Sequence, residues 1–119
     1  MGDLSWLTAR PVAHRGLHDA ARGIIENAGA AMDAAIAAGY AIELDLQASA
    51  DGEAMVFHDF TLDRLTDARG PLADRTAAEL GAIAFHGTGD RILTLPQLLE
   101  RVAGRVPLVI EIKSTFSGD

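Results

Sequence analysis

The sequence contains no cysteine, which excludes disulfide bridges, thiolate catalysis and sulfur-ligated zinc. It has no basic excess either: ten Lys and Arg stand against seventeen Asp and Glu, a formal net charge of −7. No basic run is present, which argues against a general nucleic-acid binder or a reader of anionic membrane surfaces. No apolar stretch is long enough to span a bilayer, and Met1 to Arg10 lacks the basic-then-apolar order of a secretion signal. The expectation is a cytoplasmic, soluble protein with no nucleic-acid partner and no membrane insertion.

What is present is the balance of a folded domain. Apolar residues make up 49% and charged residues 23% of 119 positions, enough for one domain at most. Val12-Ala13 is a short apolar run that opens into His14-Arg15-Gly16, which reads as a buried strand ending in a loop. From Asn27 the pattern turns helical. Asn27 is read first as the helix cap, with hydrogen bonding in a site as its alternative job; Ala28, Met32, Ala35 and Ile36 share one face, and Gly39 stops the helix. Tyr40 to Gln47 then alternates, with Ile42, Leu44 and Leu46 on one side and Glu43, Asp45 and Gln47 on the other. Strand, helix and strand form a βαβ unit, whose crossover predicts parallel pairing.

That rhythm breaks at Ser49-Ala50-Asp51-Gly52, a tight-turn signal followed at once by Met55-Val56-Phe57. So short a return predicts an antiparallel hairpin. The stretch to about Gly89 is irregular, with a turn at Gly70-Pro71 and a capping box at Thr76-x-x-Glu79. Residues 48–93 are therefore read as an insertion segment. A second capping box, Thr94-x-x-Gln97, opens a helix with Leu95, Leu98, Leu99 and Val102 inward and Gly104 at its end. Pro107 to Lys113 alternates as a third parallel strand, with Leu108, Ile110 and Ile112 on one side and Val109, Glu111 and Lys113 on the other.

Three carboxylates on such strands invite a chemical reading. Parallel strands in α/β proteins are covered on both faces, so Glu43, Asp45 and Glu111 cannot simply all meet water. A buried carboxylate needs an ion pair or a metal. Ion pairing with Arg or Lys, Lys113 for instance, and ligation of a divalent cation both satisfy the spacing; oxygen-only donors suit Mg²⁺ or Ca²⁺. His14 and His58 each close an apolar strand. Either could be structural, but two at strand exits beside three carboxylates fit acid and base roles at neutral pH. Arg15 and Lys113 supply positive charge suited to a phosphate oxyanion. Gly16 serves either a turn or a close approach of backbone to ligand. His18, His86, Arg22 and Arg91 are read as solvated loop residues.

Taken in order, His14-Arg15-Gly16, Glu26-Asn27, Glu43-x-Asp45, Asp51-Gly52 leading to His58-Asp59, Thr94-Leu95 and Glu111-Ile112-Lys113 resemble the glycerophosphodiester phosphodiesterases. The likeness runs from about Val12 to Asp119. It implies an α/β fold, a (β/α)₈ TIM-type barrel with an insertion after the second strand, and hydrolysis of a small-molecule glycerophosphodiester to an alcohol and sn-glycerol 3-phosphate. It further implies that Glu43, Asp45 and Glu111 ligate Ca²⁺ or Mg²⁺, that His14 and His58 are the acid–base pair, and that Arg15 and Lys113 hold the phosphate. Ile25, Ala28 and Ser49 stand where the family usually has Pro, Thr and Thr, and none of these removes a group assigned above.

Length is the larger departure. A barrel of this type takes roughly 200 residues or more, and three barrel strands cannot close a sheet. They would leave the first and third strands with unpaired edges and an apolar inner face exposed. The expectation is therefore a partial barrel, the N-terminal portion of a longer phosphodiesterase domain spanning 1–119. The alternatives are a non-catalytic fragment that covers its open edges by homo-oligomerising or binding a partner, and a phospholipase D-like enzyme acting on lysophospholipids.

Overall fold

The computed structural model describes residues 11–113. Strand β1 (Val12–His14) leads through a loop to helix α1 (Gly29–Ala38), which returns to the long strand β2 (Ala41–Ala48). Strands β1 and β2 pair in parallel, with His14 opposite Glu43. Strand β3 (Ala54–Val56) folds back antiparallel on the end of β2. The short helix α2 (Ala77–Gly81), the two-residue strand β4 (Leu93–Thr94), helix α3 (Leu95–Val102) and strand β5 (Leu108–Ile112) follow. Strand β5 pairs in parallel with β2, setting Asp45 opposite Glu111. Leu46 faces Val56 on one edge and Ile112 on the other. The hairpin strand thus lies on the same edge of β2 as β1, and β5 lies on the opposite edge.

The parallel order β1–β2–β5 is the start of a barrel sheet, and the chain is a partial (β/α)₈ architecture. Strand β2 sits at its centre. Ile42, Leu44 and Leu46 are buried beneath the helices with Met32, Ala35, Leu98 and Val102. On the other face Asp45 and Gln47 are also buried, at 1% and 4% exposure. The strict alternation of β2 therefore separates two interiors, one apolar and one polar, as expected of a strand covered on both faces. Burying each large aliphatic side chain of the apolar interior contributes about 1.5–3 kcal/mol.

Residues 57–93 carry a core of their own. Phe57 stacks on Phe85 with ring centroids 5.9 Å apart, and Leu62, Leu72, Leu80 and Ile92 are buried around them together with Met55 and Ala28. This core fastens the hairpin to the loop in front of α1. Both capping boxes form: the Thr76 hydroxyl accepts from the Glu79 N–H, and that of Thr94 from the Gln97 N–H.

Four details differ from the sequence reading. Ala28, not Asn27, caps α1, and it does so without a side-chain hydrogen bond; Asn27 has φ of 60° and turns its amide elsewhere. Leu99 is 46% exposed rather than inward. Strand β4 was not expected; it pairs Thr94 with Met55 and Leu93 with Val56, so the supposed insertion ends by rejoining the sheet. The exposed apolar surface of β5 includes Ile110 and Ile112, which lie in register with Leu44 and Leu46. That is the helix-facing side, in addition to the inner side where Val109 is exposed.

Candidate active site

The C-terminal ends of β1 and β5 flank the middle of β2 and bring the polar residues together. On β2, Glu43 and Asp45 are two residues apart and so share a face. Glu111 on β5 is in register with Asp45. Carboxylate oxygens of all three lie within 4.8 Å of one another. Burial first, and the charge of Asp45 second, push the Glu43 carboxyl above its ordinary range, while the Arg15 N–H works against them. Lys113 sits 3.0 Å from Glu111 and pulls that exposed carboxyl below its usual range.

The loop after β1 supplies the neighbours. His14 Nε2 is 3.6 Å from Glu43 Oε1, and its ring is largely exposed. The Arg15 N–H donates to the same Glu43 oxygen at 3.1 Å. Arg15 has φ of 58°, an uncommon conformation for a residue with a Cβ. Its guanidinium lies between two carboxylates: Nη1 is 3.2 Å from Glu26 Oε2, and Nε is 3.4 Å from Asp45 Oδ2. The second contact is an ion pair by distance without hydrogen-bond alignment, since Nε is buried without a hydrogen-bond partner. Gly16 answers to the protein rather than to a ligand. With φ of 80°, it approaches α1 so closely that an added Cβ would lie 2.8 Å from that of Ala31.

Asn27 donates from Nδ2 to Asp45 Oδ2 at 3.1 Å, so it belongs to this cluster and not to the helix cap. Gln47, further along β2, donates from Nε2 to the carbonyls of Phe57 and Asp59 at 2.9 and 2.6 Å. Those bonds hold the exit of β3, where His58 stands. His58 Nδ1 is 2.9 Å from Asp59 Oδ1. Arg64 grips Asp59 with Nε at 2.8 Å and Nη2 at 3.0 Å. These bonds from Arg64, with help from His58 and against the cost of burial, bring the Asp59 carboxyl down to about 2.

Of the seven residues singled out from the sequence, His14, Arg15, His58, Glu111 and Lys113 stand at strand ends or in the turns that follow them, and Glu43 and Asp45 stand within β2. The charges of His58 and Arg15 are both felt at Glu111. Ion pairing, one of the two options for the carboxylates, is realised between Lys113 and Glu111 and between Arg15 and Asp45. The sequence reading gave no role to Glu26, Asp59, Arg64 or Gln47; of its two readings of Asn27, the second, a hydrogen bond in the site, is the one the structure shows. Glu26 and Asp59 are themselves members of the quoted motifs, which was the available signal. Arg64 lies in the irregular stretch, where no periodicity marks it. His86, read as solvated, is partly exposed and meets Asp67 at 2.9 Å.

The sequence profile of the glycerophosphoryl diester phosphodiesterase family matches residues 14–117. The chain belongs to this family. It is 39% identical over 111 residues to a glycerophosphodiester phosphodiesterase of Caldanaerobacter subterraneus, covering 87% of this chain and 44% of that protein. Among solved structures, it is similar to a glycerophosphodiester phosphodiesterase from Agrobacterium tumefaciens, with a TM-score of 0.79 and 38% identity over 88% of this chain and 47% of that one. An Oleispira antarctica phosphodiesterase, solved in complex with the product sn-glycerol-3-phosphate, gives a TM-score of 0.77 at 28% identity, covering 87% of this chain and 44% of that one. The chain thus spans somewhat under half the length of these relatives.

The acidic cluster suits a divalent cation on its own chemistry. Its donors are all oxygens, the choice of hard cations. Burial and the charge of Asp45, which together raise Glu43, are penalties such an ion would relieve. Asn27 Oδ1, beside Asp45, is a further oxygen, buried without a hydrogen-bond partner.

Proposed function

We propose that the protein carrying this chain hydrolyses glycerophosphodiesters to an alcohol and sn-glycerol 3-phosphate, and that 1–119 is the N-terminal portion of its barrel domain, with 48–93 as an insertion. The convergence of Glu43, Asp45 and Glu111 within 4.8 Å carries this reading. In it these three residues hold Ca²⁺ or Mg²⁺, which when bound supplies positive charge to the phosphoryl oxygens. Arg15 and Lys113 bind the phosphate from the protein side, and both already stand next to carboxylates of the cluster. His14 and His58 exchange protons with the attacking and leaving oxygens, one taking a proton while the other gives one.

The ionised Asp59 can only accept hydrogen bonds, so it receives the Nδ1–H of His58 and leaves Nε2 as the basic nitrogen of the neutral ring. His14 is the more exposed of the two histidines, which favours contact with a small soluble substrate. The test is hydrolysis of glycerophosphocholine by the protein carrying this sequence. The proposal expects release of glycerol 3-phosphate, loss on adding EDTA, and a drop of at least about a hundredfold in His14→Ala and His58→Ala, the usual scale for a lost acid or base. Full activity in both variants would refute the acid–base assignment.

A further inference from the structure

The contacts around Arg64 form one line of side chains across the site. His58 Nδ1 meets Asp59 Oδ1 at 2.9 Å. Arg64 takes both Asp59 oxygens, and its Nη2 also lies 3.1 Å from Glu26 Oε2. The same Glu26 oxygen is 3.2 Å from Arg15 Nη1, and Arg15 reaches Asp45. Glu26 is buried, with its side chain 8% exposed. We propose that Arg64 is a positioning residue, whose guanidinium grips Asp59 and Glu26 together and thereby fixes the Nδ1–H tautomer of His58 and the pose of Arg15.

Three observations favour this over plain charge balance. The Arg64 side chain is 51% exposed, so solvent weakens its ion pairs, and net charge alone does not account for its two directed bonds to Asp59. The planar fork of its guanidinium takes both oxygens of Asp59 while the same Nη2 stays within ion-pair distance of Glu26, a geometry an ammonium group cannot reproduce. Both carboxylates it grips are joined to a residue placed in the chemistry, Asp59 to His58 and Glu26 to Arg15. Glu26, His58 and Asp59 also place ligand atoms within 4.8 Å of one another, an arrangement that could hold a metal. Arg64 already supplies a cation there, through directed bonds to Asp59 and an ion pair with Glu26.

The catalytic consequence rests on the acid–base reading of His58, but the tautomer does not. The experiment is ¹⁵N NMR of the imidazole nitrogens in the metal-free protein carrying this sequence, comparing wild type with folded Arg64→Ala and Arg64→Lys. Wild type is expected to hold the hydrogen on Nδ1, with a measurable Nε2–H population in both variants. In the protein carrying this sequence, kcat on glycerophosphocholine should fall about 10–100-fold in Arg64→Lys, the usual scale for groups that orient a functional imidazole. Added guanidinium should recover part of the loss in Arg64→Ala. An Nε2–H tautomer in wild type, or an unchanged tautomer in a folded variant, overturns the proposal. A protein that never cleaves the diester defeats the proposed function, while the tautomer result still decides the role of Arg64.

Discussion

At the scale of single residues, the candidate site stores electrostatic tension in one place and relieves it in another. Glu43 is held above its ordinary range by burial and by Asp45. A carboxyl whose proton is bound more tightly in the folded state favours folding at low pH and disfavours it as pH rises through the folded value. Glu43→Gln removes that burden and keeps an acceptor for the Arg15 N–H. The metal-free variant should therefore melt a few degrees above wild type at pH 7, and equal or lower Tm by calorimetry would contradict this. Asp59 behaves in the opposite way. Its carboxyl is lowered to about 2, so its contribution is complete above the ordinary carboxylate range and fades as pH falls from about 4 towards 2. Urea denaturation of Asp59→Asn should show a deficit at pH 6 that shrinks steadily below pH 4. A deficit of constant size would remove the Arg64 pairing as its cause. The seven candidate residues were legible because strand alternation and strand ends fix where side chains go. For Asn27 the sequence favours the cap over the site because a helix-capping Asn and a site Asn share one local signature, and only its amide bond to Asp45 separates them.

At the scale of elements, the junction between β1 and α1 sets the site's geometry. Arg15 and Asn27 both have positive φ, and the Asn27 N–H bonds the Arg15 carbonyl at 2.8 Å, so the two ends of this connection are laced together. Between them Gly16 packs its backbone against Ala31. Gly16→Ala adds a Cβ that meets the helix backbone at 2.9 Å, in a conformation L-residues rarely adopt. It should cost roughly 2–4 kcal/mol, measurable by urea denaturation, whereas a loss under 1 kcal/mol would mean the loop shifts freely. Thr94→Ala should cost about 1 kcal/mol through its lost cap. Helix ends were readable here because Thr-x-x-Glu and Thr-x-x-Gln are local devices. Strand β4 was not, since two residues carry no periodicity and its pairing with β3 depends on the folded segment between them. Leu99 fits the helical period but lies at the margin of the buried stripe, beside Leu98 and Val102, which take the core positions.

At the scale of the whole molecule, a partial barrel leaves apolar surface uncovered. Ile112 is 78% exposed and Ile110 42%, and the outer edge of β5 pairs with no strand among the described residues. An exposed apolar strand edge is a template for association. Light scattering should show the isolated 119-residue chain self-associating as concentration rises, and Ile112→Lys should reduce it; a monomer at all concentrations would contradict this. The parallel order was readable from the βαβ spacing, whereas the separate core of Phe57, Phe85 and their neighbours was not, because it is assembled from turns. The central claim is that carboxylates from two adjacent strands share one cation. Its most direct measurement is a calorimetric titration of Ca²⁺ and Mg²⁺ into the metal-free protein and into Asp45→Asn. One ion bound per chain in wild type, with binding at least about tenfold weaker in the variant, is the predicted result. No binding of either ion, or equal affinity in the variant, would contradict the account.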